Sequence, residues 1–379
     1  MAETIRAALE AGLQESGLPG VAVAAITPGG EAVNLAVGAP GPDAAEALAP
    51  DAVFWIASMT KAITALAALQ LVDAGRLSLD EPVGKWLPGL AQPQVLEGFD
   101  AEGAPRLRPA RGPITLRGLL THTSGFGYDF ASRDLARWLA HSGSNTLGPA
   151  APEGLPLLFD PGEAWTYGHG LDFAGLLIEA ATGKALNEVL AEQVFAPLGM
   201  ADTSLSLTAA QRGRLAPMHA RLPDRGLTPL PFALPEPPHF QMGGGGLYST
   251  AGDYLKFLRA LRDRQAGLLS HEGMELLLTS QLTEPRPGAL KSAAPHLALD
   301  YDPFPGQPTG WSLGFLVNLE PGPAGRSAGS LSWAGLSNCY YWLDLERGVA
   351  GVMMAQLLPF ADPGALALFD RFERAVYAS

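Results

Sequence analysis

Strand-like patterns lie at both ends of this chain and helical ones between them, and that placement limits the fold more than any other feature. Val21–Ile26 and Ala32–Val37 are short apolar runs joined by Pro28-Gly29-Gly30, a hairpin signal. Near the other end Trp311, Leu313, Phe315 and Val317 recur at every second residue, as one strand would. Stretches within 338–344 and 349–356 follow, joined at Glu346-Arg347-Gly348. Helical patterns cover 3–15, 58–74, 114–121, 134–141, 171–182, 186–194, 251–263 and 363–377. Residues 217–241 hold seven prolines and are expected to form a long irregular loop. Strands from both termini imply one antiparallel sheet closed by the two ends of the chain, with a mostly helical region inserted. The expectation is therefore an α/β (α+β) chain: a discontinuous sheet domain of residues 1–75 and 236–379, and a mostly helical domain of residues 76–235.

Composition narrows the function classes. With 379 residues, 47% of them hydrophobic, the chain can bury a substantial core. A net charge of −13 argues against nucleic acid as a partner, because no basic patch is available to neutralise phosphates. Cys339 is the only cysteine, and the seven histidines show no metal-ligand spacing, so neither a disulfide, a metal nor another cofactor is expected. No leader or membrane-spanning stretch is visible, so the expected location is the cytoplasm, away from membranes.

Chemistry enters at Ser58-Met59-Thr60-Lys61, an S-x-x-K pair where an extended apolar run gives way to a helical pattern. Serine is a weak nucleophile until a base takes its proton, and side chains three apart share a helix face. Lys61 can thus bring its amine to the Ser58 hydroxyl. With five lysines and nineteen serines, chance placement gives about a quarter of one such match, so the pair needs context. The context is a helix apolar on more than one face, through Ile63, Leu66, Leu69 and Leu71. A lysine in the first turn of a buried helix has a lowered pKa, as a base requires. The alternative is a capping Ser58 beside a solvated Lys61.

Two further pieces follow. Asp160-Pro161-Gly162 marks a turn ahead of Tyr167-Gly168-His169, which feeds the helix from Leu171. A buried phenol beside a lysine can shuttle a proton, although a buried tyrosine is also ordinary core. Ser332-Trp333-Ala334-Gly335-Leu336 adjoins a strand and in isolation reads as a packed tryptophan with a turn glycine.

Together these residues resemble the serine β-lactamase and penicillin-binding superfamily, with its S-x-x-K, Tyr-based and K-T-G elements. Within it they are most similar to the family VIII carboxylesterases, which look like class C β-lactamases. Leu119-Leu120-Thr121-His122-Thr123-Ser124-Gly125 and Gly243-Gly244-Gly245-Gly246 support the likeness. The resemblance implies a β-lactamase/transpeptidase-like fold with its site in the cleft between two domains. It also implies Ser58 as the acylated nucleophile, Lys61 and Tyr167 sharing the base work, and an oxyanion hole from the N–H groups of Ser58 and Leu336. Trp333, Gly335 and His169 would contact substrate. Two departures stand out: His169 replaces the usual asparagine, and Trp333-Ala334-Gly335 replaces K-T-G. An aromatic surface in place of a cation favours an uncharged ester over an anionic β-lactam.

The expected activity is hydrolysis of short- to medium-chain carboxylic esters through an acyl-enzyme, with a small-molecule ester as the partner. A β-lactamase, a D-amino-peptide hydrolase, an acyltransferase or a non-catalytic binding protein on the same fold are alternatives, and the sequence does not separate acyl transfer from hydrolysis. Gly310-Trp311-Ser312-Leu313-Gly314 spells a nucleophile-elbow pentapeptide, but Ser312 falls in a strand pattern, on its polar face, and no histidine follows His296. His122 is read as a locally hydrogen-bonded structural residue. The glycine run 243–246 is read as a place where backbone approaches the cleft closely.

Overall fold

The computed structural model describes residues 1–143, 154–236 and 238–379. Its centre is a seven-stranded antiparallel sheet. The strands are β1 (Gly20–Ile26), β2 (Ala32–Gly38), β3 (Thr309–Trp311), β4 (Leu316–Asn318), β5 (Leu331–Gly335), β6 (Cys339–Asp344) and β7 (Val349–Met354), in the order β2-β1-β7-β6-β5-β4-β3. The N-terminal hairpin joins the C-terminal strands through β1 and β7, with Ala22 opposite Met354 and Ile26 opposite Ala350. The sheet is thus assembled from both ends of the chain.

Alternation along each strand sorts side chains to two buried faces. Val21, Val23 and Ala25 of β1 join Tyr340 and Trp342 of β6 against helices α1 (Ala2–Ser16) and α5 (Pro363–Tyr377). Ala22, Ala24 and Ile26 face the other way, with Trp333 and Tyr341, toward α2 (Thr60–Asp73), α3 (Gly170–Thr182) and α4 (Ala251–Arg262). Helix α2 is buried on nearly all sides, as its lack of a polar face requires. Helix α4 starts at Thr250, whose side chain accepts from the Asp253 N–H.

Three local expectations need correction. Residues 311–317 are not one strand: β3 and β4 form a hairpin, with Trp311 opposite Leu316. Ser312 sits fully buried in its turn, where its Oγ accepts from the N–H groups of Gly314 and Phe315, so it is not a polar-face strand residue. The helical region carries a hairpin of its own, Gln94–Phe99 with Pro105–Pro109. The proline-rich segment is not wholly irregular: His219–Arg221 pairs with Leu227–Pro229 and, in parallel, with Leu357–Leu358. Pro237, within that segment, lies outside the described residues.

Candidate active site

Ser58 lies in a 3-10 turn, Ala57–Met59, immediately before α2. The α2 N-cap is Met59 and no side chain caps it, so Ser58 is free of the capping role. The turn is strained: Ala57 has φ +44°, a left-handed conformation costing on the order of 1–3 kcal/mol in a residue with a Cβ. Its surroundings hold it there. Thr60 Oγ1 donates to the Ala57 carbonyl at 2.6 Å and accepts from the Leu247 N–H at 3.1 Å. The end of β5 also packs against the turn. A Cβ at Gly335 would lie 2.3 Å from the Ile56 carbonyl oxygen, so only glycine fits.

Lys61, 1% exposed, places its Nζ 3.0 Å from Ser58 Oγ, 3.0 Å from Tyr128 Oη and 2.5 Å from the Gly244 carbonyl oxygen. Burial lowers its pKa to about 7, while the charge of Asp172 pushes the other way. Near neutral pH the amine is therefore available as a proton acceptor beside the serine.

Tyr167 is buried, and its Oη accepts from the Trp333 indole N–H at 3.0 Å. Burial raises its pKa, and hydrogen bonding to Ser58 and Trp333 only partly offsets this. The loop carrying Tyr167 is pinned by His122. The His122 carbonyl accepts from the Thr166 N–H at 3.0 Å, and its Nδ1 accepts from the Gly168 N–H at 3.4 Å. His122 is buried, kept neutral by desolvation, and held at φ +61°. It clamps a loop, but its partners are not the local ones expected: the Gly168 bond spans 46 residues. Upstream, buried Asp160 binds both Arg108 and Arg111, which ties the helical-region hairpin to the turn before Tyr167.

His169 stands at the start of α3, with Nδ1 2.9 Å from Asp172 Oδ2. Asp172 Oδ1 in turn accepts from the Gly244 N–H at 2.8 Å. The glycine run is stitched to the Ser58 region at other points as well. Thr64 Oγ1 donates to the Gly243 carbonyl at 2.7 Å and Trp55 Nε1 to the Gly245 carbonyl at 2.8 Å.

Ser58, Tyr128, Tyr167, His169, Trp333 and Leu336 all line one cleft of about 270 Å³. Most of its remaining wall is apolar, including Trp55, Phe232, Leu290, Leu297 and Phe360. No lysine or arginine lines it, and residues 144–153 contain neither. Among the described residues, Asp129 and Asp172 are the carboxylates that line it.

Sequence reasoning missed Tyr128 and Asp172. Asp172 lies three residues after His169 on a helix, a spacing that brings the two together. Tyr128 sits in a loop and carries no periodic signal. Trp333 was read as an apolar surface alone, yet its N–H also engages Tyr167. Among the described residues no cluster of His, Cys, Asp or Glu could hold a metal ion, and no helix is long and apolar enough to cross a membrane.

Residues 5–374 match the protein family Beta-lactamase. The chain belongs to that family. Its relatives include the monacolin J acid methylbutanoyltransferase of Aspergillus terreus, 35% identical over 339 residues, which span 85% of this chain and 81% of that one. A lovastatin esterase of Penicillium rubens is 33% identical over 350 residues, covering 86% and 85% of the two chains. Among solved structures, a mutant of the simvastatin synthase of Aspergillus terreus superposes with a TM-score of 0.88 at 34% identity, covering 99% of this chain and 96% of that one. The fold is accordingly β-lactamase/transpeptidase-like, and the chain is an enzyme of the acyl-transferring, hydrolase type.

Proposed function

We propose that this chain is a serine acyltransferase that carries an acyl group on Ser58 and passes it to an alcohol, with water as the slower acceptor. The observation that carries the reading is the Ser58–Lys61–Tyr167 cluster in a largely apolar cleft that offers no lysine or arginine besides the buried Lys61. The relatives favour transfer over the ester hydrolysis expected from sequence, since acyltransferases stand among them alongside one esterase. The cleft lies between the sheet domain and the mostly helical region of residues 76–235.

In this mechanism neutral Lys61 takes the Ser58 proton as Oγ attacks the donor carbonyl. The N–H groups of Ser58 and Leu336 receive the developing oxyanion. Tyr167, its hydroxyl oriented by Trp333, gives its own proton to the departing oxygen and regains one from the Lys61 ammonium. In the second half the flow reverses, the incoming alcohol's proton passing through Tyr167 to Lys61 and then to Ser58 Oγ as the acyl group leaves. Hydrolysis follows the same path with water as the second nucleophile. An anionic substrate would enter beside two carboxylates with no cation other than the buried Lys61, which is needed as the base, and this disfavours β-lactams and acidic acceptors.

The test supplies a neutral p-nitrophenyl ester with and without a neutral alcohol, and separates the new ester from the free acid by chromatography. Transfer to the alcohol should exceed hydrolysis. An acceptor bearing a carboxylate should be roughly tenfold poorer than its methyl ester, equivalent to about 1.4 kcal/mol. Free acid as the sole product at saturating alcohol would make the chain an esterase, and faster turnover of a chromogenic cephalosporin would make it a β-lactamase.

The bond from Trp333 to Tyr167 carries its own expectation. Trp333→Phe keeps an aromatic wall but removes the donor, and a net hydrogen bond of about 0.5–1.5 kcal/mol corresponds to a kcat loss of roughly two- to twelvefold with KM nearly unchanged. Trp333→Ala should raise KM as well. Steady-state kinetics on one ester separates the two effects, and an unchanged kcat in Trp333→Phe would show that the N–H is dispensable.

A further inference from the structure

Lys61 has a full set of partners in its neutral form. A neutral amine offers two N–H donors and one lone pair. The Gly244 carbonyl and Tyr128 Oη take the donors, which leaves the lone pair for Ser58. Once the amine takes the serine proton it becomes an ammonium in a buried place, and among the described residues no carboxylate forms an ion pair with it. The charge nearest in the bonded network belongs to Asp172, one residue removed. Its Oδ1 holds the Gly244 N–H at 2.8 Å, while Gly244 presents its carbonyl to Lys61 at 2.5 Å. The approach is close enough that a Cβ at position 244 would lie 2.8 Å from both carboxylate oxygens. Asp172 is itself buried, with its other oxygen 2.9 Å from His169 Nδ1.

We propose that Asp172 is a positioning residue for Lys61: it fixes the Gly244 carbonyl against the amine and supplies the countercharge that the ammonium needs during acylation. This rests on the reading of Ser58 and Lys61 as the acylating pair. The other titratable groups around the amine do not supply that charge. Tyr128 and Tyr167 are held neutral by burial, and so is His122. Asp129 acts on Tyr128, and His169 is paired with Asp172 itself.

The experiment follows the second-order rate of Ser58 labelling by a fluorophosphonate against pH, with the adduct located by peptide mass spectrometry. The wild type should show an acidic limb near pH 7, with the rate falling as pH drops and Lys61 becomes protonated. Asp172→Asn retains an oxygen acceptor for the Gly244 N–H but loses the charge. Its limb should move to lower pH by about half a unit or more, because the ammonium is then harder to form, and its plateau rate should fall roughly tenfold. Asp172→Glu, which retains charge, should keep the limb closer to that of the wild type. A limb in Asp172→Asn within about 0.2 units of the wild type overturns the proposal, whatever the plateau. Should Asp172→Asn not fold, Asp172→Ser carries the same expectation, and failure of both to fold would assign Asp172 to the core alone. Absence of wild-type labelling at Ser58 would instead overturn the acyl-enzyme reading.

Discussion

Ser58→Ala should lose roughly four orders of magnitude or more in kcat/KM on any acyl donor, with its melting temperature close to that of the wild type. The magnitude follows from the way a nucleophile and its base act as one unit, so that removing the nucleophile leaves only binding and the oxyanion donors. Folding should survive because the hydroxyl caps no helix and the backbone of the turn is held by Thr60, Leu247 and the close approach of Gly335. A serine-directed reagent should place its adduct on Ser58 and leave Ser312 untouched, since Ser312 is buried in a hairpin turn with its oxygen already engaged. An adduct on Ser312 or Ser124 would contradict the assignment directly.

Lys61→Ala and Tyr167→Phe should each cost about a hundredfold or more in kcat, the usual scale of lost general-base work. The double variant should be little worse than the poorer single one, because both side chains engage the Ser58 hydroxyl. Fully additive losses would separate them into independent roles. Tyr128 adds a control. Its hydroxyl contacts the amine and no serine contact runs through it, so Tyr128→Phe should lower the rate less than Tyr167→Phe does.

What could be read from sequence divides along physical lines. The contact between Ser58 and Lys61 was legible because a helical turn converts a three-residue spacing into proximity. The sheet was legible because β1 and β7 are apolar throughout and β6 is apolar up to its last residue, Asp344. The Gln94–Phe99 strand was hidden because a register shift between Leu96 and Gly98 breaks its alternation, and because only Val95 and Leu96 of it are buried. The β3–β4 hairpin was hidden for the opposite reason. A tight turn carried the two-residue period straight across a reversal, with Leu313 and Phe315 buried like strand residues. Tyr128 reaches Lys61 from 67 residues away, and Gly244 from 183, distances at which no local pattern reports contact. The superfamily was legible in motifs, whereas the choice between water and an alcohol was not. That choice depends on how fast each captures the acyl group, and no short motif encodes it.

The β1–β7 pairing also governs when the enzyme can exist during its own synthesis. A central strand made within the first 26 residues waits for a partner that leaves the ribosome more than 320 residues later. Until then the β1–β2 hairpin keeps an apolar edge open, a site for wrong pairing that a chaperone would have to shield. The Ser58 turn shares this delay, since Gly335 at the end of β5 packs against it and Ser337, in the turn between β5 and β6, donates to the Trp55 carbonyl at 2.7 Å. A nascent chain that already carries Ser58 and Lys61 therefore lacks the contacts that hold their turn until β5, β6 and β7 have been made.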